Sequence, residues 1–312
     1  MQQTTNTILM IRPVNFRMNE QTAVNNYYQK VLENTLPSAV NANAQKEFDT
    51  YVDKLRSFGI NVIVVSDTED FDTPDSIFPN NWISFHENGT VGLYPMFAEN
   101  RRLERREDVL EAIEKAGFLI DDVMDYTSAE EEDIFLEGTG SIILDRKHRK
   151  AYCALSPRAD EELFVEFCED FEYTPVIFES NQTVDGERKA IYHTNVMMCL
   201  GETFAVICLD SIDDKKERKN VLKHLKSDKK EVIAITEKQV NNFAGNMLQV
   251  RGNNDQRYLV MSQAAYNSLT EHQIKTIEKH CPIISSSLDT IEACGGGSAR
   301  CMMAEVFLSK QN

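Results

Sequence analysis

The feature that most constrains this chain is a repeat. Four stretches share one layout: an apolar strand, a polar turn, a second apolar strand, a break, then a run with helical spacing. In the first, NWISFHENGTVGLYPMF, the ENGT turn joins Ile83–Phe85 to Val91–Leu93, because Asn-Gly supplies the positive backbone angles of a tight hairpin. Behind it, RLERREDVLEAIEKAG sets Val109, Leu110 and Ile113 at helical spacing and ends at Gly117. The second unit, GSIILDRKHRKAYCALSPRADEELFVEFCEDF, turns at DRKHRK and is expected to open its helix after Ser156-Pro157, a cap followed by an N1 proline. The third, NVMMCLGETFAVICLDSIDDKKERKNVLKHL, turns at Gly201-Glu202. The fourth, NMLQVRGNNDQRYLVMSQAAYNSLTEHQIKTIEKH, turns at GNND. A fifth unit is completed only if the C-terminal SARCMMAEVFL pairs with the N-terminal NTILMIRP, followed by a helix in AVNNYYQKVLENT. That pairing closes a ring.

The linkers resemble one another as well: FGINVIVVS, VIAITEKQV and CPIISSS each carry a short β-branched strand after a helix. The expectation is an α/β fold, a five-bladed pseudo-symmetric propeller whose inner strands face one central cavity, with residues 1–312 forming a single catalytic domain. The competing arrangement is a mixed α/β domain with two sheets.

Fifty acidic against 33 basic residues give a net charge of −17, which opposes binding to nucleic acid or to anionic membrane surfaces and points to a small-molecule partner. Seven cysteines without a CxxC pair read as reduced thiols of a cytoplasmic protein. No segment reaches the length of a membrane span. A homodimer is compatible with all of this, and no interface is legible.

The inner strands of the five units are expected to begin at Asn80-Asn81, Glu137-Gly138, His193-Thr194-Asn195, Asn246 and Cys301. Strand beginnings inside a core favour apolar residues, yet polar or reactive ones hold this place in every unit. A thiolate is the nucleophilic form of cysteine, so Cys301 needs a base nearby. His193 moves protons near neutral pH, and Glu137 is placed to orient its ring. Taken singly, Cys301 reads as a core thiol beside flexible glycines, Glu137 as a turn acid and His193 as a satisfied core histidine. Their shared place in the repeat makes one site the better explanation. Histidine and cysteine spacings typical of metal sites are absent, and CGGGSAR lacks the Lys-Ser/Thr ending of a phosphate loop; no metal and no cofactor are expected.

FPNNW, FLEGTG, ALSPR, YHTN and GGGSARCM, in this order, resemble the guanidine-modifying hydrolase and amidinotransferase superfamily. That group includes arginine deiminases, dimethylarginine dimethylaminohydrolases and citrulline-utilisation hydrolases, and its five-bladed fold is called the pentein. The resemblance implies Cys301 as nucleophile, His193 as general acid/base and Glu137 as its partner. It also implies Arg158 at the substrate carboxylate, Asp75 at the α-amino end, and one of Arg101 and Arg102 facing inward.

The departures from the deiminase pattern point to the substrate. Deiminases usually read Phe-Thr-Arg-Asp where this chain has Phe78-Pro79-Asn80-Asn81, and His-x-Asp where it has His193-Thr194-Asn195. A guanidinium is cationic and offers only donors, so aspartates suit it; an amide offers donor and acceptor without charge. Two buried aspartates facing a neutral ureido group would be desolvated without compensation. Asn81 and Asn195 therefore favour citrulline, cleaved to ornithine, carbon dioxide and ammonia. The alternatives are a substituted arginine or other guanidine, an amidinotransferase, and a non-catalytic amino-acid-binding protein. Gly138-Thr139-Gly140 also departs from the usual Gly-Gly-Asp.

Overall fold

The computed structural model describes residues 2–32 and 36–311. β1 (Thr7–Arg12) runs parallel to β2 (Asn61–Ser66), with Leu9 opposite Ile63. β3 (Ile83–Phe85) and β4 (Thr90–Leu93) form the ENGT hairpin, and β5 (Asp122–Asp125) adds in parallel. The same order recurs in β6 (Ile142–Asp145), β7 (Lys150–Leu155) and β8 (Thr174–Glu179). A separate ribbon, β9 (Asn181–Val184) with β10 (Glu187–Ala190), interrupts the series and was not legible as a repeat. β11 (Met198–Leu200), β12 (Phe204–Ile207) and β13 (Glu231–Ala234) resume it, and β14 (Leu248–Arg251), β15 (Arg257–Ser262) and β16 (Ile283–Ser286) repeat it. The chain's two ends complete a further sheet, because β17 (Ala304–Glu305) pairs antiparallel with β1. There are thus five three-stranded sheets among the described residues, each an antiparallel pair extended by a parallel strand, rather than two larger ones.

Helices make the parallel crossovers, since a parallel strand can be reached only by a long return. Glu107–Lys115 buries Val109 and Ile113, and Lys215–Ser227 buries Val221 and Leu225. The second helix begins later than its Ser156-Pro157 signal implies. It spans Glu161–Asp170, because the Asp160 side chain caps Leu163 N while Ser156-Pro157 remains in a turn. In the fourth unit Leu269 ends one helix, Gln263–Ser268, and Thr270 caps another, Glu271–Glu278.

The helix of the fifth unit also lies elsewhere than expected. Residues 24–32 follow an irregular path after the short turn Glu20–Ala23, and residues 33–35 of the expected helix lie outside the described residues. The crossover is made instead by Pro37–Ser57, whose Ala44, Phe48, Tyr51, Val52 and Leu55 face Ile8, Met10 and Ile284. This displacement frees residues 19–30 to serve as a strap.

The polar residues of the repeat stand just ahead of the inner strands rather than on their first residues. Asn80 and Asn81 close the turn Pro79–Asn81, Glu137 precedes the turn Gly138–Ser141, and His193 precedes Thr194–Met197. Asn246 and Cys301 end hydrogen-bonded turns from Phe243 and Ser298. Each turn lifts a side chain off the end of its strand.

Candidate active site

Two groups of side chains meet at these turns. In the first, His193 Nε2 lies 2.7 Å from Glu137 Oε2, and Glu137 Oε1 accepts from Phe97 N at 3.0 Å. Arg158 Nη1 is 3.5 Å and Arg101 Nη1 3.8 Å from the same Glu137 oxygen. Burial alone pushes the Glu137 carboxyl up, but Arg158, the His193 hydrogen bond and Arg101 outweigh it and hold it well below the usual carboxylate range. Burial pushes His193 down, helped by the two guanidinium groups and opposed by Glu137. An ionised Glu137 accepts the Nε2 proton, which leaves the lone pair of a neutral ring on Nδ1. That nitrogen is buried and has no partner among the described residues.

The second group surrounds the thiol. Asn195 Nδ2 lies 3.4 Å and Asn246 Nδ2 3.2 Å from Cys301 Sγ. Asn246 is itself fixed, its Oδ1 accepting from Arg300 N at 3.0 Å and Cys301 N at 3.4 Å. The Asn195 amide also offers the thiol an acceptor, Oδ1 at 3.7 Å.

Gly140 borders the first group. A Cβ there would come within 2.5 Å of Asn81 Nδ2 and 2.8 Å of His193 Nδ1, so the Gly-Gly-Asp aspartate has no room where the amide of Asn81 and the ring of His193 converge. Asn81 in turn accepts at Oδ1 from Arg101 Nη1 at 2.8 Å and donates from Nδ2 to Asn80 Oδ1 at 3.1 Å.

The two adjacent arginines separate. Arg101 is buried, clamped by Glu104 at 2.8 and 2.9 Å, and positions Asn81 rather than offering a free fork. Arg102 lies outside the site, donating to Met96 O at 3.1 Å beside Glu130.

The strap lies over the remaining predicted residues. Asn19 Nδ2 and Thr22 Oγ1 donate to Asp75 Oδ2 at 2.8 and 3.0 Å, while Asp75 Oδ1 is buried without a partner among the described residues. Burial raises the Asp75 carboxyl above its ordinary value, against the pull of Arg101 and these two donors. Arg158 donates to Asn25 Oδ1 from Nε at 2.9 Å and to Thr22 O from Nη2 at 3.0 Å, and stacks on Tyr192. A carboxamide oxygen thus sits on the guanidinium fork, and donors sit on the carboxylate. An α-amino acid would present the same pair of groups.

The glycines before Cys301 do not leave open space beside it. Gly296 is left-handed, with φ of 60°, and a Cβ there would meet Asn26 of the strap at 2.6 Å; Gly297 packs against the Phe78 ring. Asn26 Nδ2 reaches Gly295 O and Gly296 O, and Lys30 N reaches Ala293 O. The strap therefore closes on the nucleophile's own loop. A cavity of about 450 Å³, lined by residues such as Arg17, Asn19, Asn100 and Cys294, lies at the strap and does not reach Cys301. The strap instead covers the loop before Cys301 and the guanidinium of Arg158.

Asn246 and the strap residues Asn19, Thr22 and Asn25 were given no role by the sequence. Asn246 had a signal, since it stands at the fourth inner strand; the strap, lacking any period, had none.

A family model described as N,N dimethylarginine dimethylhydrolase, eukaryotic, matches residues 12–308. No curated protein matches the sequence. Among solved structures, the chain is similar to apo ArgZ, an arginine dihydrolase from the ornithine-ammonia cycle in cyanobacteria, at 17% identity and TM-score 0.73, covering 98% of this chain and 41% of that one. The chain thus spans less than half of full-length ArgZ. The substrate-bound N-terminal domain of ArgZ matches at 17% identity and TM-score 0.71, covering 97% and 99%. A dimethylarginine dimethylaminohydrolase adduct with S-methyl-L-thiocitrulline matches at 12% identity and TM-score 0.63, covering 97% and 99%. The fold is that of the guanidine-modifying pentein superfamily. Within it, the chain belongs to the N,N dimethylarginine dimethylhydrolase family. No helix among the described residues is long and apolar enough to cross a membrane.

Proposed function

We propose that residues 1–312 act as one catalytic unit, a closed five-bladed propeller that hydrolyses a C–N bond of a neutral ureido group. Citrulline is the substrate best supported, with ornithine, carbon dioxide and ammonia as products. One observation carries this reading: the side chains around Cys301 and His193 Nδ1 are carboxamides, those of Asn81, Asn195 and Asn246, while the carboxylate beside them, Glu137, is already engaged by His193 and two arginines. Closure of the ring is supported by Arg251 N donating to Thr5 O, which ties β14 to the segment entering β1.

In the mechanism, the strap opens and the zwitterionic end of citrulline replaces Asn25 at Arg158 and takes the spare Asp75 Oδ1. Cys301 passes its proton to His193 Nδ1 and its sulfur attacks the ureido carbon. Asn195 and Asn246 donate to the sulfur as its proton leaves. The C–NH2 bond breaks as His193 returns the proton, releasing ammonia and leaving an S-carbamoyl enzyme. Water then gives a proton to His193 and its hydroxyl to the carbon, the C–S bond breaks, and the freed carbamate loses carbon dioxide to give ornithine. Asp75, Asn81, Asn195 and Arg158 are thus substrate contacts, and Arg101 a positioning residue.

A second reading, action on a methylated arginine, is favoured by the family's description. Purified protein incubated separately with citrulline, arginine and methylated arginines, assayed for ammonia and ornithine, separates the two. Citrulline should yield both products and Cys301→Ala neither. Ornithine formation at equal rates by wild type and Cys301→Ala would end the proposal.

A further inference from the structure

Among the described residues, four arginines are nearly fully buried: Arg101, Arg146, Arg158 and Arg300. Three are accounted for by carboxylates or carbonyls, Arg101 by Glu104, Arg158 by Asn25 and Glu137, and Arg300 by Glu305 and Met303 O. Arg146, 3% exposed, has no hydrogen bond or ion pair to its guanidinium among the described residues; one face stacks on the Phe307 ring at 3.9 Å. A buried guanidinium carries five donors and a charge that protein interiors rarely leave unmatched.

Arg146 opens on a cavity of about 240 Å³, below the roughly 300 Å³ at which pockets for drug-sized ligands begin. Two hairpin turns frame it, the one after β3 with His86 and the one after β6 with Arg146 and Arg149. The His86 ring is buried, stacked on Phe171 at 4.0 Å, and fixed through Nε2 to Ser84 Oγ at 2.8 Å. Burial, reinforced by the charges of Arg146 and Arg149, keeps this histidine well below its ordinary value. Three acids stand at the rim, each engaged: Glu87 by Gln2 N at 3.0 Å, Asp170 by Tyr126 OH at 2.7 Å and Glu172 by Arg149 at 3.6 Å. The cavity stands at the far ends of β3 and β6 from Asn81 and Glu137, so it is separate from the candidate active site.

We propose that this cavity is a binding site for a tetrahedral oxyanion, free phosphate or the phosphoryl end of a small phosphomonoester, with Arg146 as its principal partner. The planar fork of Arg146 offers paired donors to phosphate oxygens, which a carbonyl or a chloride ion matches poorly. The small volume excludes a nucleotide in full but admits a phosphoryl group at the mouth.

The test is thermal denaturation of the full chain with inorganic phosphate, or with glycerol phosphate, against sodium chloride at equal ionic strength. Wild type should show a saturable rise of about 2 °C at tenfold over the dissociation constant. Arg146→Met should abolish the rise while leaving the protein folded, because it removes a buried charge that lacks a protein partner. Glu172→Ala, which removes a carboxylate from the rim, should strengthen binding. A response to phosphate alone would identify the free anion, and a response to both the phosphoryl group. A wild type that does not respond, or an Arg146→Met variant that responds equally because the anion sits at Arg158, would overturn the assignment.

Discussion

Asn195→Asp is the substitution that separates a neutral reactive end from a charged one. Asn195 Nδ2 is 3.4 Å and Oδ1 3.7 Å from Cys301 Sγ, so an aspartate would set a carboxylate oxygen against the sulfur. The fold should tolerate it, because Asn246 Nδ2 holds residue 195 through the backbone carbonyl at 3.0 Å. At an effective dielectric near 20, two unit charges about 3.7 Å apart repel by about 4.5 kcal/mol. That energy corresponds to about 3 pH units in a titration midpoint. The assay is the rate of Cys301 alkylation by iodoacetamide, a neutral reagent, followed across pH. The aspartate variant's profile should move about 3 units upward relative to wild type, and citrulline turnover at neutral pH should fall about a thousandfold. Asn195→Ala removes only one donor to the sulfur and should move the profile by about 1 to 2 units, from the roughly 1.5–3 kcal/mol of a hydrogen bond to a charged group. A cationic amidine reagent brings its own compensating charge and should lose far less with the aspartate. Superimposable profiles for wild type and Asn195→Asp would refute the placement of this amide against the thiolate.

Asn81→Asp creates an ion pair with Arg101, whose Nη1 already lies 2.8 Å from Asn81 Oδ1. The kcat/KM ratio for arginine over citrulline should rise by about tenfold or more, about 1.4 kcal/mol, and an unchanged ratio counts against the amide argument. Asn25→Asp turns the strap's stand-in for a carboxylate into a true one on Arg158, so KM for citrulline should rise by about tenfold while kcat is largely kept; equal KM values would mean that substrate does not displace Asn25. Glu292, hydrogen-bonded by Ser298 Oγ and raised by burial from 4.5 to about 7, supplies a pH test. Its folded value lies above its unfolded one, so its contribution is fully present below about pH 4.5 and lost as pH rises through 7. Melting curves from pH 5 to 8 should show wild type losing up to about 3 kcal/mol relative to Glu292→Gln, and parallel curves would show that the carboxyl is not held protonated.

The repeat was legible because each unit carries its own signals: an Asn-Gly turn, a β-branched linker, a helix face at regular spacing. Equivalence between units then pointed to Glu137, His193 and Cys301 before any distance was known, and the structure places all three on corresponding turns. Arg101 and Arg102 could not be told apart, since neighbours on a helical turn point about 100° apart and only the surroundings decide which is buried. The strap was illegible for a different reason. Residues 19–30 are held by polar contacts to carbonyls and charged side chains far along the chain, such as Gly295 O and Arg158, and such contacts impose no period on the sequence. Gly140 shows the same limit: the missing aspartate was visible, but its cause lay in the rings and amides converging from two other sheets.

The carboxamides around the thiol have a consequence for how the protein meets different media. Screening by dissolved ions acts on separated charges and scarcely on short contacts between dipoles. On the proposed mechanism, capture of the amino-acid end by Arg158 and Asp75 should therefore weaken in brine, while the bond-breaking step at Cys301 keeps its pace. Added salt would then raise the substrate concentration needed for half-saturation without slowing the saturated enzyme.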